Sequence, residues 1–349
     1  MDEVIIKKHN STIVLTLNRE RVLNALNLNM VRILYKNILL WKKDDSVSGV
    51  LIQGAGEKSF CAGGDIVSVY HEKNNKNNSL SHDFFKEEYL LNYEISNFGK
   101  PWVSMLNGIA MGGGLGLSVH GSHRIISEKT MAAMPETAIG LFPDVGGGYF
   151  LSRMKDSLGV YLALTGNIID ADNAMYSGIG THFIENKLVK SFIDEFLKLE
   201  NYTIDKVDSL LTNYKNKKNI NPTFKEENHF IKKHFSLENI QEIFESLEKD
   251  KSDWAIKHLN VLRKKSPTSM AVALKQLKLA KIMNLKDCLS MEFRICQAMM
   301  SKNDFYEGVR ANLVDKDRSP NWKPKSVFDL TSNIVDEHFV ELKEKELFN

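Results

Sequence analysis

An α/β core followed by a mainly helical region is the fold class that this sequence of 349 residues predicts, and three observations predict it. Glycine is frequent up to Gly180 and afterwards occurs only at Gly308. Before that change, short β-rich runs alternate with stretches of helical apolar spacing; after it, only the helical spacing persists. Length and composition fit one large domain plus an appended piece, with 43% hydrophobic and 26% charged residues. The division is placed between residues 185 and 186, giving a core over 1–185 and a helical region over 186–349.

In chain order, STIVLTLN, SGVLIQGAG, PWVSMLNGIA and HRIISEK read as strands, and LNMVRILYKNILLWKKD between the first two reads as a helix. KSFCAGGDIVSVY reads as a strand, a turn at Gly63 and Gly64, and a helix starting near Ile66 with Asp65 as its cap. The polar, Asn-rich HEKNNKNNSLSHD, residues 71–83, reads as a surface loop or equally as a lid beside a pocket. FFKEEYLLNYEI follows as a helix carrying Glu88. Beyond Gly180, KSFIDEFLKLENY, LENIQEIFESLEKD and PTSMAVALKQLKLAKIM have apolar residues at helical spacing, and NYKNKKNINPTFKEENH reads as a connector between helices.

Charge and cysteine content narrow the function classes. A formal net charge of +2 gives no global electrostatic reason for a nucleic-acid or membrane partner, so any anion site is local. Cys61, Cys288 and Cys296 cannot all pair within one chain, and so sparse a set points to a reducing compartment. No apolar run reaches the roughly 18 residues of a membrane span. MDEVIIKKHNSTIVLTLN enters a strand pattern at once, without the marks of a signal or transit peptide, which reads as a cytosolic or already processed chain. The ten histidines show no H-x-x-x-H pairing, and no metal is expected.

Four of the five residues from Gly112 to Gly116 are glycine, inside the apolar run NGIAMGGGLGLSVHG. One reading is steric: glycine lets backbone segments cross closely or take positive φ. The other is chemical, because two bare turns that aim N–H groups into one space make an oxyanion hole, each donor contributing roughly 3 to 4 kcal/mol. Both readings are compatible. Cys61 reads as a small buried thiol, His120 and His123 as packed or hydrogen-bonded, and Ser118 lacks a G-x-S-x-G context.

SFCAGGDI and NGIAMGGGLGLSVHG together look like the two oxyanion-hole segments of the crotonase superfamily, which acts on acyl-CoA thioesters. MPETAIGLFPDVGGGYFLSRM narrows the match, since it resembles the 3-hydroxyisobutyryl-CoA hydrolase family. So do FFKEEYLLNYEI, ALTGNIIDADNAMYSGIGTHFIE, SPTSMAVALKQL and DFYEGVRANLVDKDRSPNWKP; the resemblance runs from about Ile6 to about Pro324, weakening between about 190 and 250. It implies a crotonase-type spiral of ββα units with a helical C-terminal region. The implied reaction is 3-hydroxyisobutyryl-CoA plus water giving 3-hydroxyisobutyrate and free CoA, as in valine breakdown. CoA belongs to the substrate, and no separate cofactor is implied.

Carried over residue by residue, the resemblance puts the oxyanion donors at the backbone N–H groups of Ala62 and Gly113. Glu136 becomes the nucleophile or the general base on water, the family favouring direct attack, and Asp144 the acid/base group that also orients substrate. Read from the residues alone, Asp144 sits in a sharply turned, exposed context suited to helix capping. Apolar neighbours Met134, Pro135, Ile139 and Phe142 are expected to raise the Glu136 pKa by desolvation. Glu88 is assigned to the substrate hydroxyl or to orienting water, and Gly113, Glu136 and Asp144 also touch substrate. Arg21 and Asp65 are expected along the bound CoA, although Glu20 stands where the family usually has Pro. Enoyl-CoA hydratases of the superfamily carry a catalytic Glu where this chain has Gly116, which argues against two-Glu hydration. The rivals are another acyl-CoA hydratase or isomerase, and a non-catalytic relative associated with the mitochondrial small ribosomal subunit. The partners expected are an acyl-CoA, no nucleic acid, no membrane, and a second copy of the chain as homo-oligomer. Localisation is expected in the mitochondrial matrix if the source is eukaryotic and in the cytoplasm otherwise.

Overall fold

The computed structural model describes residues 2–72, 79–200, 203–214 and 221–348. Among the described residues nine strands form two sheets. The larger sheet holds β1 (Val4–His9), β2 (Thr12–Leu17), β3 (Gly49–Gly54), β5 (Trp102–Leu106), β7 (His123–Ile126) and β9 (His182–Phe183) in that order. The smaller one holds β4 (Ser59–Cys61), β6 (Ile109–Met111) and β8 (Met131–Ala133). Only β1 runs antiparallel to its neighbour in the larger sheet; β2 to β9 pair in parallel. Parallel strands buried on both faces read as continuous apolar runs, and TIVLTL, GVLIQG and WVSML are such runs.

From β3 to β8 each long strand is followed by a short one and then a helix. β3 and β4 lead to α2 (Ile66–Glu72), and β5 and β6 lead to α4 (Gly113–Val119), with α1 (Leu28–Lys43) before them and α3 (Leu80–Ser96) between. β7 and β8 lead to a 3-10 helix, Glu136–Ile139, and then to α5 (Gly147–Leu151). This is the repeated ββα plan that the resemblance implies. After β9 every described element is helical, as the loss of glycine predicts.

Contacts divide the chain into two interleaved units. The first comprises 1–64, 90–132 and 168–223, and the second 65–89, 133–167 and 224–349. In the first unit, helices Asn186–Phe196 and Ile204–Thr212 lay Phe192, Phe196, Val207 and Leu211 against Leu51, Val103 and Ile125 of the sheet. Contacts therefore carry the sheet's core past residue 185, where composition changes. In the second unit, helix Pro267–Ala280 starts with Pro at its first position and Ser266 as N-cap, the Ser266 hydroxyl donating to Asp304 at 2.7 Å. Helix Leu285–Met300 buries Cys288, Leu289, Glu292, Phe293, Cys296 and Met299 on one stripe.

Two connector readings need correction. Residues 71 and 72 end α2 and residues 80–83 begin α3, so the loop or lid expected over 71–83 is helical at both ends, and its residues 73–78 lie outside the described residues. The connector NYKNKKNINPTFKEENH ends in helix: Thr223–Phe235 is helical because Phe224, Ile231 and Phe235 supply a buried stripe that the charged residues between them obscure. Among the described residues no helix is long and apolar enough to cross a membrane.

Candidate active site

The glycine turns belong to the first unit. β4 ends at Cys61, and the chain then turns at Gly63 with a φ of +110°. A Cβ on Gly63 would stand 3.3 Å from the Met111 carbonyl oxygen and 3.9 Å from the Gly113 nitrogen, so the two glycine segments meet. Gly113 opens α4 after Gly112, whose φ is +47°, and as the first helical residue its N–H lies outside the helix ladder. Gly114 answers to packing instead: a Cβ there would come within 2.3 Å of the Cys61 carbonyl oxygen. The steric reading of the glycine run holds at Gly114.

The Ala62 N–H, the other donor that the resemblance assigns, donates to the Leu23 carbonyl at 3.0 Å. The next two amides, of Gly63 and Gly64, carry no such bond among the described residues; in the bridge of Gly64 with Leu26, the Gly63 carbonyl accepts from the Leu26 N–H at 2.8 Å. The sequence shows where the chain turns but not which amide a distant carbonyl captures.

The carboxylates belong to the second unit. Glu88 on α3, Glu136 at the start of its 3-10 helix and Asp144 in the loop before α5 are 2%, 5% and 4% exposed. Asp144 is thus buried, not exposed. Nor does it cap α5, which has Gly146 as its N-cap residue; its Oδ2 accepts from the Tyr89 hydroxyl at 2.8 Å. Burial, against the pull of that hydrogen bond, pushes Asp144 up to about 7. Burial and the nearby Asp144 charge raise Glu136 and Glu88 well above the usual carboxylate range. Glu136 Oε2 and Glu88 Oε1 are buried without a hydrogen-bond partner. Unpartnered buried carboxyl oxygens are costly to a fold and ready for a ligand.

Packing holds the Glu136 turn from the C-terminal side. A Cβ on Gly308 would fall 2.4 Å from the Ile139 carbonyl carbon, and one on Gly140 2.1 Å from the Asp304 carbonyl oxygen. The solitary late glycine is there so that helix Asn303–Val309 can lie against the Glu136 turn. Asn312 donates to the Ala138 carbonyl at 2.7 Å, and the Ser266 N–H to that of Thr137 at 3.1 Å. Lys265 is half-buried, and burial brings its ammonium down to about 8 while the Glu136 charge pulls the other way.

Sequence reasoning missed Tyr89, Lys265 and Glu292. Glu292 is fully buried and accepts from the N–H groups of Gly146 and Gly148 at 2.7 and 2.8 Å. A signal for it existed: a lone Glu in the apolar stripe of CLSMEFRIC. Tyr89, one residue after Glu88 in an aromatic helix, gave none. Asp65 caps α2, accepting from the Ser68 N–H at 3.3 Å, and Arg21 is exposed on a 3-10 turn, Glu20–Val22. Cys61 is fully buried, His123 is hydrogen-bonded to Ser122 and Asp208, and Ser118 donates to the Leu115 carbonyl. Gly116 is buried inside α4, so no carboxylate comes from that position.

Residues 12–339 match the enoyl-CoA hydratase/isomerase family. The chain is 44% identical over 349 residues to "3-hydroxyisobutyryl-CoA hydrolase, mitochondrial" of Danio rerio, covering 99% of this chain and 91% of that one. The Homo sapiens protein of the same name is 43% identical over 350 residues, covering 99% and 90%. Among solved structures, a carnitinyl-CoA dehydratase from Mycobacterium thermoresistibile superposes with a TM-score of 0.92 at 32% identity, covering 99% of this chain and 98% of that one. An enoyl-CoA hydratase from Rhodobacter sphaeroides 2.4.1 superposes with a TM-score of 0.91 at 31% identity, covering 100% of both.

Proposed function

The chain belongs to the enoyl-CoA hydratase/isomerase family and, within it, to the 3-hydroxyisobutyryl-CoA hydrolases, and on that footing we propose that it hydrolyses the thioester of 3-hydroxyisobutyryl-CoA. The observation that carries this reading is the buried pair Glu136 and Asp144, with Tyr89 bonded to Asp144, in a chain that has Gly116 where a hydratase of the superfamily has the catalytic Glu that follows its glycine run. The dehydratase and hydratase titles belong to structures at 31 to 32% identity, the hydrolase name to relatives at 43 to 44%.

In this reading the Glu136 carboxylate attacks the thioester carbonyl carbon. The family resemblance assigns the developing oxyanion to the backbone N–H groups of Ala62 and Gly113. The C–S bond breaks as the Asp144 carboxyl gives its proton to the departing thiolate, leaving an anhydride of Glu136 with the acyl group. Water then attacks the acyl carbonyl and passes a proton to Asp144, and the Glu136 carboxylate leaves. The acid formed ionises to solvent, so thioester and water become carboxylate, thiol and one proton. An Asp144 pKa of about 7 suits a group that gives and retakes a proton near neutrality. Attack by Glu136 itself is favoured by the Oε2 atom having no hydrogen-bond partner to blunt it. Glu88 is assigned to the substrate hydroxyl, and Arg21 and Asp65 to the CoA. A mitochondrial location follows the relatives' name.

The test is free-thiol release from 3-hydroxyisobutyryl-CoA beside hydration of a short enoyl-CoA, followed as loss of the conjugated double bond. Thiol release without hydration supports the reading. Hydration without thiol release makes the chain a hydratase, and neither activity, with cosedimentation on ribosomes, makes it the non-catalytic relative.

A further inference from the structure

The loop from Pro143 to Gly148 takes a backbone path that its sequence resists. Val145 has a φ of +52° and Gly146 one of +83°. Glycine accepts such angles freely, but a β-branched residue at positive φ is a genuine outlier that persists only where surrounding structure over-determines it. Asp144 is the residue immediately before Val145, so the direction of its carboxyl depends on this angle.

What over-determines the loop comes from two distant helices. Glu292, on Leu285–Met300, accepts from the Gly146 N–H through Oε2 at 2.7 Å and from the Gly148 N–H through Oε1 at 2.8 Å. Gln276, on Pro267–Ala280, donates through Nε2 to Glu292 Oε1 at 3.0 Å and to the Pro143 carbonyl at 2.8 Å. The loop is thus gripped on both sides of Val145. Gly148 leaves room for the grip: a Cβ there would stand 3.0 Å from both Gln276 Nε2 and Glu292 Oε1. Burying a carboxylate this completely is costly, and burial pushes Glu292 up to about 8 although the Gly146 and Gly148 amides hold its charge.

We propose that Glu292 and Gln276 are positioning residues that form a clamp, holding Val145 in its left-handed conformation and thereby fixing the Asp144 carboxyl for proton transfer. The inference rests on the thioesterase reading for its kinetic consequence, but the clamp itself has a readout that needs no activity. Glu292→Gln keeps the shape and puts a donor against one of the two amides. In that variant, amide hydrogen exchange over 143–150 speeds up at least tenfold. Misplacement of a reacting group by about 1 Å costs on the order of 10²-fold, so kcat falls about 10- to 100-fold while KM stays within about twofold. Val145→Gly, which lets the loop turn without the grip, lowers the parent's kcat but raises that of Glu292→Gln about fivefold; a merely structural Glu would give no such reversal of sign. If Glu292→Gln does not fold, Gln276→Leu tests the same grip from the other side, with a smaller loss and the same rescue. Unchanged exchange over 143–150, or losses from Glu292→Gln and Val145→Gly that simply multiply, would overturn the clamp. A parent without thiol release but with exchange responding as described sinks the thioesterase reading and leaves the clamp standing.

Discussion

The glycine turns of the first unit and the carboxyl cluster of the second obtain their chemistry from opposite resources. The turns leave main-chain N–H groups bare of side chains, and the fold gains from them, since Gly114 lets the Cys61 carbonyl pack at a distance no Cβ allows. The cluster uses side chains that the fold would be more stable without: Glu88, Glu136 and Asp144 are all at most 5% exposed, and two of their oxygens lack partners. One region is fixed by sterics. The other is held by packing against its own electrostatics and is therefore where pH, charge and substitution act.

The largest effect expected is on chemistry. Glu136→Gln lowers thiol release at least about 10³-fold and Asp144→Asn on the order of 10²-fold, with folding unchanged or improved, measured by steady-state kinetics and thermal melts. Gly114→Ala does the reverse, costing about 3 kcal/mol or more of stability because the clash is with backbone, while any folded fraction keeps its turnover. A substitution that breaks both properties equally in either region would erase the contrast.

The pH dependence of stability sharpens the comparison. Asp144 near 7 and Glu292 near 8, with Glu88 and Glu136 also raised, mean that the native state holds more protons than the unfolded chain between the ordinary carboxyl range and about pH 8. Stability therefore falls as pH rises through that window. The melting temperature of the free protein should be higher at pH 5.5 than at pH 8, and Glu136→Gln should flatten the difference. The smallest effect is expected from Lys265→Met, which removes the positive charge acting on Glu136 and shifts the acid limb of the rate profile upward, lowering the rate at pH 7 about 3- to 10-fold.

The same contrast governs what could be read from the sequence. Turns, strands and the two glycine segments were legible because glycine and apolar periodicity are local signals. The carboxyl set came from a resemblance rather than from spacing, since Glu88 lies 48 positions before Glu136 and the eight positions from Glu136 to Asp144 match no local period. The bond from the Ala62 N–H to the Leu23 carbonyl reaches 39 positions upstream in sequence and is invisible to any local pattern. Asp144 looked exposed because Pro and Gly flank it, and turn residues usually face water; here helices Pro267–Ala280 and Leu285–Met300 grip its loop. Gly308 drew notice only by its isolation, and its purpose needed the Ile139 backbone beside it.

The central claim is that Glu136 itself forms the bond to the acyl group. It is tested most directly by rapid-quench mass spectrometry of the Asp144→Asn protein mixed with 3-hydroxyisobutyryl-CoA, with the adduct located by peptide mapping. The account predicts a transient acyl mass on the peptide carrying Glu136, appearing with free thiol and ahead of the hydroxy acid. Thiol and hydroxy acid rising together, with no adduct at any quench time, would contradict it.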